Sequence, residues 1–360
     1  MSGPDPDVLA RWLGDRVEVT GPLRVDRIGD GQSNVTSLVT DAAGRAWVLR
    51  HRPAGAAADD ALREAGVLRG LAGGPVPVPA VVASGSGVDG VPGEFFVMER
   101  SPGTVLARET DADALPVPQR RALAGDVVAV LARLHGVDPG RSGPVRGDAD
   151  ELFARRVRRA ARNWEAWAGS APGSVDAAWR EAHRRIAAAP PRAQRLAVVH
   201  GDYRLANLLV DGGRVTAVLD WELCTHGDPL VDLAWLLDDW RGPGEAAVAI
   251  PSPTRAGGFG ARAELAADYA ARTGLDLSGL DRYRALTHWT AATLLQGVLV
   301  RRRSGALGGH GGLDPAAVER SVRDLVEGSL SLLPGIGSGT RSAPRPGAAR
   351  SPGPSSRRAR

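Results

Sequence analysis

The 360 residues predict an α+β chain of two lobes, a small β-rich lobe first and a larger, mainly helical lobe after it. Two changes along the sequence carry that reading. Up to about residue 100, apolar residues fall in short runs separated by Gly, Pro, Asp and Ser; beyond about residue 104 they follow the i, i+3, i+4 spacing of amphipathic helices. The composition supports both lobes having cores, with 43% apolar and 24% charged residues.

Each element follows in order. Residues 7–16 read as a short helix, with Leu9, Trp12 and Leu13 on one face. Strands are expected at Leu23–Ile28, Val35–Thr40 and Ala46–Arg50, the last two joined by the turn Asp41-Ala-Ala-Gly44. Asp59–Leu71 reads as a helix with Leu62, Ala65 and Leu68 inward, ended by Pro75, Pro77 and Pro79. Glu94–Glu99 is a buried strand, and Val97–Gly103 links the lobes. Gln119–His135 is a helix with Leu123, Val127, Val130, Leu131 and Leu134 on one face. Residues 150–188 are helical and carry Trp164, Trp167 and Trp179. Leu196–His200 is a short strand, and Leu208–Val210 and Val215–Leu219 flank the hairpin turn Asp211-Gly-Gly213. Helices return after Asp232, interrupted by a Pro/Gly-rich loop over 241–262, and the last covers 315–333. The expected division is 1–100 for the first lobe, 101–333 for the second and 334–360 for a disordered Arg/Pro/Ser/Gly tail.

Charge and cysteine usage narrow the function classes. The net charge is +4, yet residues 334–360 hold six Arg and no acid; the rest has 39 Arg against 41 acidic residues, a net of −2. Basicity confined to a tail argues against a nucleic-acid partner. All 45 basic residues are Arg, so a Walker A phosphate loop and a Schiff-base lysine are both excluded. A single Cys224 forms no internal disulfide, which fits a reducing cytoplasm. No apolar run reaches the ~18 residues of a membrane span, so no membrane partner is expected, and the N-terminus lacks the pattern of a signal peptide.

The stretch 198–232 carries the chemistry. It places His200-Gly201-Asp202, then Asn207, then a hairpin, then Asp220 at a strand end. One carboxylate, one amide and a second carboxylate thus meet at loop ends on neighbouring strands. Phosphoryl transfer needs such a set: a group for the attacking hydroxyl's proton, and oxygens to hold magnesium against phosphates. The motif resembles the catalytic and metal loops of the aminoglycoside phosphotransferase-like family, relatives of protein kinases. It is closest to the branch similar to kinase-like domains fused to acyl-CoA dehydrogenases. The resemblance covers roughly residues 20–305 and implies a protein-kinase-like fold. It also implies a kinase moving the γ-phosphoryl group of ATP to a hydroxyl of a small molecule, with Mg²⁺ as cofactor. By it, Asp202 is the catalytic base and Asn207 and Asp220 are the metal ligands. His200 reads as a brace. Asp228 and Asp232 match the family's G-D-P-x-x-D-L-A segment, bracing the loop and capping a helix that begins near Pro229. Cys224 reads as a small packed side chain.

On the nucleotide side, Gly31, Gln32, Ser33 and Asn34 belong to a turn, Gly29–Asn34, that resembles the family's phosphate-covering loop. Arg50 stands where a protein kinase has its strand lysine, a departure that changes reach and geometry. Glu64 is its expected helix partner. Met98, Glu99 and Arg100 form the expected hinge for adenine, with Val48 and Met98 lining its faces.

The acceptor is less legible. Region 235–305 should shape its pocket, with Trp235, Trp240, His288, Trp289 and Gln296 as candidates that packing alone would also explain. Asp238, Asp239 and Glu222 suit an aminoglycoside-like polycation; Arg301, Arg302 and Arg303 suit an anion such as a hydroxyacyl-CoA, or a solvated helix end. A catalytically silent, nucleotide-binding regulatory protein is the alternative that Arg50 leaves open. A metal-dependent hydrolase lacks the clustered His and Asp it would need.

Overall fold

The computed structural model describes residues 3–28, 35–51, 61–145, 147–245, 249–304 and 314–333. The turn Gly29–Asn34 and the tail 334–360 lie outside them.

The first lobe is a five-stranded antiparallel sheet. Its strands are β1 (Arg24–Ile28), β2 (Val35–Thr40), β3 (Ala46–His51), β4 (Val81–Gly85) and β5 (Phe95–Glu99), in the order β1-β2-β3-β5-β4. Strand periodicity divides its two faces. Trp47, Leu49, Phe95 and Val97 point outward under helix α1 (Pro6–Gly14), where Leu9 and Leu13 seal them into a separate core. Asp5 starts α1 by accepting hydrogen bonds from the Asp7 and Val8 amides at 2.9 and 3.3 Å. Phe96 and Met98 point the other way, into the main core. Val48 and Arg50 therefore share the inner face, beside helix α2 (Ala61–Leu71).

The α2 face differs from the expectation by one step. Ala65 and Leu68 are buried as expected, but Leu62 is only half-buried and Glu64 is buried instead, at 2% exposure. The stripe turns because Arg50 offers that carboxylate a partner inside. Strand β4 was not expected: its Val-Val-Ala-Ser-Gly follows a Pro-rich stretch and lacks a clear alternation.

The second lobe is built on helices. These are α3 (Glu109–Asp113), α4 (Val117–His135), α5 (Glu151–Trp167), α6 (Gly173–Ala188), α7 (Leu230–Asp239), α8 (Arg262–Thr273), α9 (Leu280–Arg303) and α10 (Pro315–Ser331). One contiguous apolar core runs from α2 to α10. Within it Trp179 stacks between Trp164 and Trp289, with ring centres 4.6 and 4.4 Å away. Two small antiparallel sheets face the first lobe. One pairs β7 (Ala197–Val199) with β10 (Thr225–Gly227); the other runs β6 (Thr104–Val105), β8 (Leu208–Asp211), β9 (Arg214–Val218). Gly212 and Gly213, at φ 53° and 82°, supply the left-handed turn that joins β8 to β9. No helix of the described residues is long and apolar enough to cross a membrane.

Backbone and side-chain bonds tie the lobes along one seam. The Val218 amide donates to the Pro77 carbonyl at 2.8 Å, and Arg133 donates to the Pro75 carbonyl at 2.9 Å. Arg63 of α2 donates to the carbonyls of Cys224 and Glu222.

Candidate active site

The loop after β7 holds His200-Gly201-Asp202, and its shape is set from beneath. Asp232, in the first turn of α7, accepts from the His200 amide at 2.7 Å and from the Gly201 amide at 2.8 Å. Its Oδ2 also meets His135 Nε2 of α4 at 3.3 Å, and His135 Nδ1 meets the Tyr269 hydroxyl of α8 at 2.6 Å. Burial alone would raise the Asp232 pKa. The bond and charge of His135, then His200 and the Gly201 amide, outweigh it and hold the carboxyl below its ordinary value. Tyr203 anchors the far side of the loop by donating to the Val127 carbonyl at 2.9 Å. Asp228 accepts from the amides of Leu230 at 2.8 Å and Gln194 at 2.9 Å, so it caps α7 and pins a neighbouring segment.

Gly201 is required where it stands. Its φ is +93°, and a Cβ there would lie 2.8 Å from the Leu223 carbonyl oxygen.

His200 is turned inward and fully buried. Its Nε2 bonds to the Leu219 carbonyl at 2.9 Å, and its Nδ1 accepts from the Asp202 amide at 3.2 Å. A carbonyl on one nitrogen and an N–H on the other fix the hydrogen on Nε2. The ring spends both nitrogens on backbone and ties the Asp202 loop to the Asp220 strand.

Asp202, Asn207 and Asp220 emerge on the cleft side. Asn207 Nδ2 donates to the Asp202 carbonyl at 2.9 Å and to Asp202 Oδ2 at 2.8 Å. With two acceptors on its NH₂, the amide orientation is set, and its oxygen is left for another partner. Asp202 Oδ1 is buried without a hydrogen-bond partner. Burial raises the Asp202 pKa against the opposing Arg204, His200 and Asn207. Asp220 adopts φ +64°, ψ +65°, and is the non-glycine residue with positive φ among the described ones. That conformation costs roughly 1–3 kcal/mol and is held by its neighbours. The Leu219 amide donates to the Asn207 carbonyl at 2.9 Å, and the buried Trp221 indole donates to the Val218 carbonyl at 2.9 Å.

Arg50 crosses the seam. Its Nη2 lies 3.1 Å from both Glu64 oxygens and 2.8 Å from Asp220 Oδ1, and its Nη1 donates to Thr36 at 3.2 Å. Its Nε is buried without a hydrogen-bond partner among the described residues. Glu64 also accepts from the Trp221 amide at 3.3 Å. One guanidinium thus joins the sheet, α2 and the Asp220 turn.

Among the described residues no cluster of three or more His, Cys, Asp or Glu could hold a metal alone. The Asn207 oxygen and the Asp220 carboxylate are the oxygen donors here that could hold a hard cation such as magnesium, which takes few protein oxygens and completes its shell from phosphates and water. Val48 and Met98 pair across β3 and β5 on the inner face. At the expected hinge, the Glu99 amide already donates to the Ala80 carbonyl at 2.8 Å, so that donor is committed to the sheet; Glu99 and Arg100 are exposed. Gly31, Gln32, Ser33 and Asn34 are outside the described residues. Cys224 is buried and its thiol is pushed up to about 12 by burial, which suits packing and not nucleophilic chemistry.

Beyond Asp202 a cavity of about 210 Å³ opens between α7, α8, α9 and α10. Trp235, His288, Asp238 and Asp239 line it, as expected. Trp240, Trp289 and Gln296 do not; they are buried at 3%, 0% and 2% exposure. Glu222 points to the α2 seam through its carbonyl. Arg301–Arg303 also lie elsewhere, with Arg301 over the Trp167 ring and Arg303 beside the Ser170 carbonyl and Glu319. Arg204, two residues after Asp202, was not singled out from the sequence. It reaches from the loop after β7 into the cavity wall, where it pairs with Asp239 at 3.1 Å.

A sequence model described as the phosphotransferase enzyme family matches residues 24–286. Acyl-CoA dehydrogenase family member 11 of Rattus norvegicus is 30% identical over 86% of the chain, which covers 40% of that protein. Acyl-CoA dehydrogenase family member 10 of Mus musculus is 34% identical over 60% of the chain and 20% of that protein. The chain thus spans less than half the length of these relatives. Viomycin phosphotransferase of Streptomyces vinaceus is 32% identical over 50% of the chain and 62% of its own length. Among solved structures, an aminoglycoside-phosphotransferase-like protein of Ralstonia eutropha superposes with a TM-score of 0.75 at 27% identity, covering 91% of this chain and 98% of that one. Aminoglycoside phosphotransferase APH(4)-Ia, solved with ADP and hygromycin B, gives 0.61 at 18% identity over 93% of this chain and 99% of its own, a likeness of fold.

Proposed function

This chain belongs to the phosphotransferase enzyme family, and we propose that it moves the γ-phosphoryl group of ATP to a hydroxyl of a small molecule. The observation that carries the reading is the assembly of Asp202, Asn207 and Asp220 on one cleft wall, joined through Arg50 to Glu64.

The chain's own groups divide the work. Asp202 orients the acceptor hydroxyl and takes its proton as the oxygen bonds to phosphorus and the bond to the leaving ADP oxygen breaks. The partnerless Asp202 Oδ1 is the atom suited to that hydroxyl. Asn207 holds Asp202 through Oδ2 and the carbonyl, which fixes the carboxylate's aim. Asn207 and Asp220 are the residues that would hold magnesium, which supplies neutralising charge to phosphate oxygens when bound. Arg50 sits within reach of the same phosphates, its Nε still without a partner. Arg204 places a second guanidinium beside Asp202, where charge develops during transfer. Val48 and Met98 would line the adenine faces, with Glu99 and Arg100 following at the hinge; the role expected of Gly31, Gln32, Ser33 and Asn34 toward the phosphates falls on residues outside the described ones.

One observation favours a second reading, a silent nucleotide-binding regulator: Arg50 occupies the Asp220 carboxylate at 2.8 Å. A screen of hydroxyl metabolites for an ATP- and Mg²⁺-dependent mass gain of one phosphoryl group separates the two. Transfer abolished by Asp202→Asn supports the kinase. Nucleotide binding with no transfer across the screen supports the regulator.

A further inference from the structure

The cavity beyond Asp202 has charges that are unequally spent. Three of its carboxylates are bound to guanidiniums: Asp239 to Arg204 at 3.1 Å, Asp238 to Arg284 at 2.8 Å, and Glu245 to Arg262 at 2.5 Å. Asp238 also meets His288 Nε2 at 3.3 Å. The fourth carboxylate of the lining, Asp324, is exposed and has no ion pair among the described residues, so acidic charge here is largely but not wholly spent.

Arg241 is in the opposite position. It lines the same cavity, is 9% exposed, and has no carboxylate within ion-pair distance among the described residues. Its Nη1 donates to the Ile250 carbonyl at 2.9 Å. Arg204 donates to the next carbonyl, Pro251, at 2.8 Å, so two guanidiniums hang side by side from consecutive peptide units. The Arg241 backbone is itself clamped, its amide donating to the Thr254 hydroxyl at 2.8 Å and its carbonyl accepting from the same hydroxyl at 2.9 Å. Burial depresses the Arg241 pKa; Asp239 opposes this, while Arg204 and Arg262 add to it. A buried guanidinium crowded by two others is relieved by an anion, and its planar fork suits a carboxylate or phosphate.

We propose that Arg241, flanked by Arg204 and Arg262, binds an oxyanion carried by the acceptor, a compact hydroxy acid or phosphorylated alcohol. This rests on the phosphotransfer reading above. Arg204 belongs both to this corner and to the catalytic loop, so an anion on Arg241 places the rest of a small molecule toward Asp202. The volume of about 210 Å³ suits such a metabolite, being below the roughly 300–1,000 Å³ of pockets for drug-sized ligands.

The test is calorimetric binding to the full chain of 3-hydroxybutyrate, inorganic phosphate, the neutral analogue 1,3-butanediol and hygromycin B. Each is titrated with and without saturating Mg²⁺ and a non-hydrolysable ATP analogue. At least one anion is expected to bind with the nucleotide present, better than the diol and hygromycin B. Arg241→Gln should weaken it on the order of 10- to 100-fold, as for loss of one charge-assisted pair. Arg241→Lys should restore part of the affinity, and nucleotide affinity should not move. Arg262→Gln, at a more exposed position, gives a second reading if Arg241→Gln does not fold, with an expected loss of several-fold. The proposal is overturned if no anion binds to the nucleotide complex, if anion binding survives Arg241→Gln, or if hygromycin B binds best. In a chain that does bind nucleotide, anion binding displaced by the nucleotide also overturns it, because the ions would then occupy the nucleotide's phosphate positions. If the wild-type chain fails to bind nucleotide, the phosphotransfer reading falls instead, while anion binding at Arg241 remains measurable by itself.

Discussion

The catalytic loop is bonded very differently on its two sides. Underneath, Asp232 is fully buried and every contact is answered: two loop amides, then His135, then Tyr269. On the cleft side Asp202 Oδ1 and Arg50 Nε have no hydrogen-bond partner among the described residues, and Asp220 sits in a strained left-handed backbone. Buried polar atoms without partners are costly, so a fold retains them where a ligand will supply the bond. On the proposed reading the fully answered Asp232 is the support, and Asp202, with one oxygen unanswered, is the aspartate that meets the acceptor.

The sharpest way to break this contrast is Asp202→Asn. Catalysis should fall by about 10²- to 10⁴-fold, measured as kcat in the transfer assay, while the melting temperature stays level or rises. A variant that unfolds would show that Asp202 is also a support. The pH dependence follows from the same carboxyl. Its pKa is raised by burial, so the acid limb of kcat should lie above that of an ordinary carboxylate. For stability the sign is opposite: the folded value exceeds the unfolded one, so the contribution is present below the unfolded pKa and lost as pH rises through the folded pKa. Asp232, held low, contributes stability above its unfolded pKa that is lost as pH falls through its folded value.

Next in size is Asp232→Ala, expected to cost about 3–5 kcal/mol of folding stability because it orphans two amides and a buried histidine. Denaturant melts check it. A stable but inactive Asp232→Ala would remove the distinction between the two sides. At Asp220 the backbone and the carboxylate can be separated. Asp220→Gly and Asp220→Ala should both lose activity, but the Gly variant should be the more stable by roughly 1 kcal/mol, because only Gly takes φ +64° without strain. The smallest effect is expected from Tyr269→Phe, which keeps the ring and removes the hydroxyl 2.6 Å from His135. Stability should fall by about 1–2 kcal/mol. If the support positions the loop as described, kcat should fall a few-fold with the nucleotide KM unchanged.

How much of this was legible in the sequence depended on chain separation. Asp202, Asn207 and Asp220 lie within one short stretch, and the Gly212-Gly213 turn between them announces the hairpin that gathers them. The unbroken apolar run Phe95 to Met98 announced a buried strand. The support beneath was not readable, because His135 and Asp232 are 97 positions apart and Tyr269 is 134 from His135. His135 looked like the end of a helix. Strand β6 has two residues and exists only through its pairing with β8. Arg204 and Arg241 resembled any other Arg in a chain with 45 of them; only packing shows that one is ion-paired and that the other has no such pair among the described residues.

The Arg50 bridge also decides how this site can be detected. Nucleotide probes that tag kinases by passing an acyl group to an amine beside the phosphates need a lysine there. Here the cation joining Glu64 to Asp220 is a guanidinium, and the sequence contains no lysine at all. Guanidiniums stay protonated and resist acylation at neutral pH. If nucleotide binds beside Arg50 as proposed, surveys built on amine capture will pass this chain by, and photoreactive or non-covalent nucleotide reporters are the appropriate way to see it.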